Sequence, residues 1–563
     1  MPFSKNKRAK PLRNTSGTIP YKTSELSGLA LLSYKRGLNL AGKTTSPFSE
    51  FSFAVFNQSK TMKKINLLKH CFFTSLFLLG SFKSISQPAK TPIDPARQFT
   101  PAELQADLKL MRTILDESHP GFYRYTPKAR FDVLFDSIGQ TLNQPMTQHQ
   151  FYVAATPIIA ALKDGHIKYM PHVRPHWQYY YNLNQLFPLE LYFTNQQAHL
   201  VRNLAGSENI PLGAEITAIN GQPIAAIIQK LLPTVYFADG NSQAVKYQSL
   251  DKFFPFYYGT YIGASANYTI SYRDRSSAET KIVQVPAITL ATIQQLEKEK
   301  ENQKPKQLPI RLEYKDNSTA LLTIDHFNIY KNEMDVKEYL KDTFWQINAK
   351  NIQHLIIDVR GNEGGVDRWG ALLYAYLTQK PFRYYNQLKV AQKKKYSFAE
   401  HIAWVPKMFP FYRRFLITKT KDGSYTFSFK KTLKEQKPQK HPFKGDVYIL
   451  TDGYSFSVTS EFAAIAHHHK RATFVGRETG GGYYGNTSGF FVVAVLPHTG
   501  IELAVPQWGY HMAVSGYPYP DRGVLPDYPV APSIDDVLQK RDAELAFTLD
   551  LIRKKKTSSA AKK

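Results

Sequence analysis

The sequence predicts an α/β protein whose main domain follows a helical region and a smaller strand-rich unit. Three observations carry this. Between Leu308 and Ile552 an apolar, β-rich run that ends in a glycine or serine turn and continues into an amphipathic helix recurs. His354 to Arg360 leads to Gly361-Asn362-Glu363-Gly364-Gly365 and a helix through Leu372 and Tyr376, and Val447 to Thr451 leads to Asp452-Gly453-Tyr454-Ser455-Phe456-Ser457 and a helix through Ala466. Ala472 to Val475 leads to Gly476 and Gly480-Gly481-Gly482. Strands separated by helices predict a largely parallel sheet, with functional loops at the carboxyl ends of its strands. Ahead of that domain, Thr100-Pro101-Ala102-Glu103 opens a helical stretch, and after about Phe187 the hydrophobic period shortens toward two.

The elements follow in order. The 563 residues correspond to about three or four folded units at roughly 150 residues each. Residues 1–61 are polar, rich in Ser, Thr and Lys, and carry no sustained period, as expected of a disordered leader or of residues upstream of the true start. From Met62 the sequence has a charged Lys63-Lys64, an apolar run to Gly80 and small residues at Ser84 and Ser86. That pattern predicts a signal peptide over 62–86, cleaved near Ser86, so that the protein is periplasmic or secreted. The one cysteine, Cys71, falls inside that run, which excludes a disulfide framework and a cysteine-rich zinc site. The net charge of +27 raises nucleic acid or an anionic surface as a partner, yet the first 86 residues hold 14 Lys or Arg against two acids. The remainder carries +15 and shows no zinc-finger spacing, aromatic-basic strand or basic helix, so nucleic-acid binding is not expected.

The helical region spans 87–180: Thr100 supplies an N-cap hydroxyl, Pro101 the first helical position and Glu103 the capping-box carboxylate, with Leu104, Leu108, Met111 and Leu115 at helical spacing. The polar-apolar pattern runs on through Phe151 to Leu162 and stops at Asp164-Gly165-His166. The second unit, 181–295, centres on Gly213 to Gly221, a strand and turn followed by a helix through Ile227 and Leu231. A Lys, Glu and Gln run within 296–307 is a solvated linker by composition. The main domain, 308–552, is interrupted at 382–441 by clustered Tyr, Phe, Trp and Lys, expected to be an insertion that caps the site. The six cations of the 553–563 tail predict a solvated, disordered end.

A serine hydroxyl becomes a useful nucleophile only when a base takes its proton and donors stabilise the oxyanion. Ser457 has the position for this, between a strand and a helix whose first amide, that of Val458, faces an anion forming beside it. Ser455, Ser457 and Ser460 also suit plain turn and capping roles. The Asn362 to Gly365 turn is equally an oxyanion nest or a tight connection, and neither glycine cluster is followed by the Lys-Ser/Thr of a P-loop.

Together these segments resemble the C-terminal processing (tail-specific) serine peptidases. Asp358-Val359-Arg360-Gly361-Asn362-Glu363-Gly364-Gly365 is similar to that family's strand-turn signature, and the run from Ser457 through Phe462-Ala463-Ala464, Arg471-Ala472 and Val475-Gly476 to Thr479 is similar to its nucleophile segment. Leu212 to Ile228 resembles the PDZ-like module such enzymes often carry. The resemblance implies a ββα-superhelix (crotonase-like) catalytic domain, Ser457 as nucleophile, oxyanion donors from Gly364 with Gly365 beside it and from Val458, no metal or organic cofactor, and peptide substrates recognised by an end. Gly482 occupies the place of the tail-specific branch's lysine, so a Ser-Lys dyad does not transfer. The sequence is closer there to the tricorn-like and retinoid-binding-protein-like branch, which implies a histidine base, and Leu162-Lys163-Asp164-Gly165-His166 matches it with His166. Asp521, in Asp521-Arg522-Gly523-Val524-Leu525-Pro526-Asp527, is the residue that this branch implies as orienter of the base, with Asp164 and Glu478 as competitors. His467-His468-His469 suggests a metal, but consecutive helical residues point about 100° apart and do not converge. A non-catalytic ligand- or peptide-binding protein on the same fold is the competing reading, and an uncleaved, membrane-tethered scaffold a third.

Overall fold

The computed structural model describes residues 94–171, 181–206, 210–303 and 305–560. The leader and the signal segment expected over 62–86 lie outside them. Helix α1 (Pro101–Ser118) begins at the expected capping box, with the Thr100 amide donating to Glu103 Oε2 at 2.8 Å and the Glu103 amide to Thr100 Oγ1 at 3.4 Å. A cap of this kind contributes about 1 kcal/mol. Its buried face is Leu104, Leu108, Met111, Ile114 and Leu115. Helices α2 (Lys128–Thr141) and α3 (Gln148–Leu162) complete the helical region. Lys163 then takes a left-handed conformation (φ 52°) that stops α3, and strand β1 (Lys168–Pro171) follows.

The second unit is an antiparallel six-stranded sheet with β2 (Leu189–Thr194), β3 (Gln197–Asn203), β4 (Glu215–Ile219), β5 (Asn267–Arg273) and β6 (Thr280–Pro286) in that order and a two-residue strand, Gln222–Pro223, paired with β4 off this path. Helices α4 (Ile224–Leu231) and α5 (Ala244–Tyr261) lie between β4 and β5 in the chain. The run read as a solvated linker begins inside helix α6 (Leu290–Asn302), which has no fully buried residue. Its charges are exposed, with Glu297 among them paired to Arg202 at 2.7 Å, and the start of the run is helical rather than irregular.

The main domain starts with β7 (Ile310–Asp316) and β8 (Thr319–Ile324), then α7 (Val336–Ala349), β9 (His354–Asp358), α8 (Asp367–Ala375), β10 (Tyr385–Val390), β11 (Ile402–Trp404), β12 (Ile417–Lys419) and β13 (Tyr425–Phe427). It continues with β14 (Asp446–Thr451), α9 (Val458–His468), β15 (Thr473–Gly476), β16 (Thr487–Val495), β17 (Ile501–Met512), β18 (Tyr528–Pro529) and α10 (Ala543–Ala560). The first sheet has the order β7-β8-β9-β14-β15-β18, parallel from β8 onward, with Thr323 beside Asp358 and Asp358 beside Leu450. Parallel strands buried on both faces read as continuous apolar runs, as His354 to Asp358 and Asp446 to Thr451 do.

A second, antiparallel sheet has the order β11-β16-β17-β10-β13-β12, and β1 adds to it by pairing Lys168 with Ala504 and Pro171 with Ile501. Four strands of this sheet come from 382–441. That stretch is therefore structural framework rather than a separable cap, because its Val390, Ile417 and Phe427 are buried in the domain core. The basic tail also differs from expectation: α10 runs to Ala560, and Lys555 and Lys556 reach Asp446 (2.8 Å) and Asp316 (3.1 Å) on the first sheet. Pairing to these carboxylates holds the first part of the tail as helix.

Candidate active site

Parallel strands β9 and β14 are neighbours, so the turns that leave their carboxyl ends face each other. After β14 the chain turns at Asp452, whose Oδ1 accepts the amides of Ser455 (3.0 Å) and, across the turns, Gly361 (2.9 Å). Ser455 Oγ donates to Val359 O at 2.8 Å. Ser455 is thus a turn-fixing residue. Ser457 follows with φ 53° and ψ −125°, a conformation that costs an L-residue about 1–3 kcal/mol and that presents its side chain ahead of helix α9.

His166 reaches this serine from the turn between α3 and β1. Its Nε2 lies 3.1 Å from Ser457 Oγ, so the fold brings together two residues 291 positions apart. The ring packs on Phe456 (centroids 4.7 Å apart), which in turn packs on Phe237 (4.7 Å). Burial under these rings pushes the imidazole down to about 4, against the attraction of Asp164, and keeps it neutral near pH 7. Gly165 is required by the same packing, since a Cβ there would lie 2.5 Å from Phe456 Cζ.

The carboxylate beside the base is Asp164. Its Oδ1 accepts the His166 amide at 2.8 Å, Thr487 Oγ1 donates to its Oδ2, and His119 Nε2 lies 2.9 Å from the same oxygen. The Gly121 amide donates to His119 Nδ1 at 3.1 Å, which places the His119 ring proton on Nε2, toward Asp164. Burial would raise the Asp164 pKa, but its contact with His119, the proximity of the two imidazoles when they carry protons and the Thr487 hydroxyl hold it well below the usual carboxylate range. Asp521 does not take this place. Its side chain accepts from Asn241 Nδ2 and its carbonyl accepts the Asn241 amide at 2.7 Å, because Gly240 (φ 61°) brings that turn against the Asp521 backbone. Glu478 is likewise committed, to Arg522 at 2.6 Å and to the Gly523 amide at 3.0 Å.

Three further residues at the site escape a sequence reading. Asp239, from the second unit, accepts the Gly165 amide at 3.0 Å with one oxygen and the Gly482 amide at 3.1 Å with the other, and burial with the nearby charge of Asp164 raises it to about 7. His119 lies in the segment after α1, and Lys168 on β1 sits over Phe237 with its ammonium 5.5 Å from the ring centroid. Burial lowers the Lys168 pKa. None of them belongs to a local motif; only a glycine turn answered by an acid far away in sequence would have pointed to Asp239. Ligating atoms of Asp164, His166 and Asp239 come within 4.8 Å of one another, but the carboxylates are already engaged by amides and by Thr487 and His119. His467, His468 and His469 diverge to Tyr483, Ser515 and the Tyr374 ring respectively.

On the oxyanion side, Gly364 abuts the nucleophile: a Cβ on it would lie 2.7 Å from Ser457 Cβ and 2.9 Å from Val458 N. Its own N–H donates to Asn362 Oδ1 at 2.9 Å, a correction to the expectation that it serves as a donor. Gly364 O and Val366 N bond Phe327, as in a parallel bridge, which turns the Gly365 N–H to the other side of the chain. Among the described residues neither the Gly365 nor the Val458 N–H is taken by an acceptor. At Gly482 a Cβ would lie 2.7 Å from Tyr125 Oη, so the packing leaves no room for a lysine there.

A serine on a strained strand-to-helix turn, a neutral imidazole within hydrogen-bond reach and unengaged amides at a helix N-terminus define a serine hydrolase site. Residues 318–530 match the model of peptidase family S41, and this part of the chain is an S41 peptidase domain. The protein is a serine-type peptidase. Solved structures share the fold: mature CPAF complexed with lactacystin is similar at TM-score 0.55 and 15% identity over 81% of this chain and 98% of that one. Mature CPAF alone gives TM-score 0.53 and 14% identity over 78% and 94%. No curated protein sequence matches the chain.

Proposed function

We propose that the protein is an exported carboxyl-terminal processing or endopeptidase that cleaves peptide bonds through an acyl-enzyme. The observation that carries this reading is the 3.1 Å approach of His166 Nε2 to Ser457 Oγ. Ser457 Oγ attacks the scissile carbonyl carbon while its proton passes to His166 Nε2. The carbonyl oxygen becomes an oxyanion held by the N–H groups of Val458 and Gly365, with the positive end of α9 behind the first. The tetrahedral intermediate collapses, the C–N bond breaks, and His166 returns the proton to the leaving amine. Water, deprotonated by the same nitrogen, then releases the acyl group and restores Ser457. Asp164 holds the His166 turn through its backbone amide and lends negative potential to the imidazolium formed in each step.

The unit formed by β2 to β6 and helix α4 supports a PDZ-like reading, in which a substrate end adds as a strand and the enzyme works inward from it. The segment over 62–86 supports export. A fluorophosphonate probe tests the chemistry: labelling is expected of the wild type, lost in Ser457→Ala and strongly reduced in His166→Ala. Lactacystin, with which mature CPAF was solved, is a second probe and is expected to compete with that label. Folded protein that takes up neither reagent would favour the non-catalytic binding protein instead.

A further inference from the structure

The 382–441 stretch carries a property that peptide hydrolysis does not use. Residues 392–440 hold 13 Lys and Arg against Glu400, Asp422 and Glu435, a net +10 in 49 residues. Among the described residues, only Lys430 of the thirteen has an ion-pair partner, Asp367 at 2.7 Å. Lys393, Lys394, Lys395, Lys407, Arg414, Lys419 and Lys421 are exposed. Amid this charge stand large apolar side chains in water: Met408, Phe411, Phe415 and Phe429 are 42%, 41%, 58% and 65% exposed. Phe411 and Phe415 are in direct contact, with ring centroids 5.0 Å apart, and they connect to Phe429 through the buried rings of Tyr412 and Phe427, with successive centroids 6.2, 6.4 and 6.3 Å apart. Phe411 and Phe415, four residues apart, share one face of a short helical segment that leads into edge strand β12.

We infer that this surface docks on an anionic lipid bilayer, with the Phe and Met side chains entering the acyl boundary and the Lys and Arg around them meeting headgroups. A cluster of exposed cations of one sign attracts a negative partner, and their number favours a surface over a single ligand. Neighbouring exposed rings mark contact with something apolar. Phe and Met tips offer no atom that could read a base or a peptide by hydrogen bonding, whereas acyl chains require none. Basic residues flanking Phe on an amphipathic segment are the pattern that lies in a membrane interface without crossing it, and among the described residues no helix is long and apolar enough to cross.

The test places a polarity-sensitive dye in the patch of the full chain, through Phe415→Cys in a Cys71→Ser background, with Trp345→Cys on helix α7 as a control site of comparable exposure, 62% against 58%. Because the readout is local, lipid binding by residues outside the patch does not mimic it. With phosphatidylcholine vesicles containing phosphatidylglycerol, emission at position 415 is expected to shift to the blue, with no shift for phosphatidylcholine alone and none at position 345. Adding Lys393→Glu, Lys394→Glu and Lys395→Glu is expected to weaken the response at least tenfold, while hydrolysis of a soluble peptide and fluorophosphonate labelling stay unchanged. A dye at 415 that keeps its emission in water with phosphatidylglycerol present overturns the inference. So does a shift elicited by polyglutamate or a single-stranded oligonucleotide and not by vesicles, which would assign the patch to an acidic macromolecule.

Discussion

Gly165 shows how little freedom the base has. Its missing side chain is the space filled by Phe456, and the same phenyl ring supports His166. Gly165→Ala must therefore displace the ring, the turn or both. A misplacement of about 1 Å costs on the order of 100-fold in rate, so kcat should fall by about that factor with KM little changed. Wild-type kinetics in the variant would mean that the ring is not held there. The buried imidazole also sets a pH dependence. With His166 lowered to about 4, the neutral, proton-accepting form prevails above that value, so kcat/KM should rise with pH through about 4 and be level by pH 6. A midpoint near 6.5 would show an unshifted base. Stability runs the other way over a higher window. Asp239, Asp251 and Glu461, each raised to about 7, hold protons in the folded state that the unfolded chain has already released, so folding weakens as pH rises toward and through 7. His166 and His511, both lowered to about 4, oppose this only below about 6.5. The melting temperature should accordingly fall between pH 6 and pH 8, as differential scanning fluorimetry would show.

Elements legible in the sequence are those whose signals are local. The capping box of α1, the apolar runs of β9 and β14 and the glycine and serine turns after them lie where composition and periodicity put them. Ser457 and His166 stand out because each sits in a short motif at an element boundary. What remained hidden was contact between distant segments. Asp521 was the implied orienter with Asp164 as a competitor, and it is Asp164 that holds the His166 turn, while the second-unit acid Asp239, which no local signal marks, holds it from the other side. The tail looked solvated because its cations are visible in sequence and their partners on β7 and β14 are not. Asp239 is the connection most exposed to test. Asp239→Asn keeps one acceptor but cannot take amides on both sides, so the His166 turn and the Gly480-Gly481-Gly482 loop lose their shared anchor. The expected result is a fall in kcat of about tenfold or more with KM within about twofold, and Asp239→Glu should restore part of it. A loss that follows melting temperature alone would reduce Asp239 to a structural role. Arg360 makes a comparable junction between the β9 turn and α10, pairing with Asp358 (2.7 Å), Asp542 (2.7 Å) and the buried Glu544 (3.1 Å). Arg360→Ala leaves those carboxylates uncompensated and should cost about 3–5 kcal/mol of stability, measurable by urea unfolding.

Across the whole molecule, the boundary of the S41 match is not the boundary of the functional unit. Residues 318–530 contain the nucleophile and both glycine turns, but His166, Asp164, His119 and Asp239 all precede them. Packing says the same. One apolar core joins the three N-terminal helices and the β2 to β6 sheet to Val492, Ala494, Leu503 and Val505 on β16 and β17, and β1 enters the second sheet as a strand beside β17. A chain beginning at Leu308 would expose that face of β16 and β17, lose a strand from the sheet and lack the proposed base. Such a fragment should be recovered mainly as aggregate, and any soluble fraction should fail to react with a fluorophosphonate that labels the full chain. Supplying residues 87–307 as a separate polypeptide during refolding should restore labelling if the shared core is what assembles the site. A soluble, labelled 308–563 fragment would instead show that Ser457 finds its base within the main domain, and would retire His166 together with the carboxylates arranged around it.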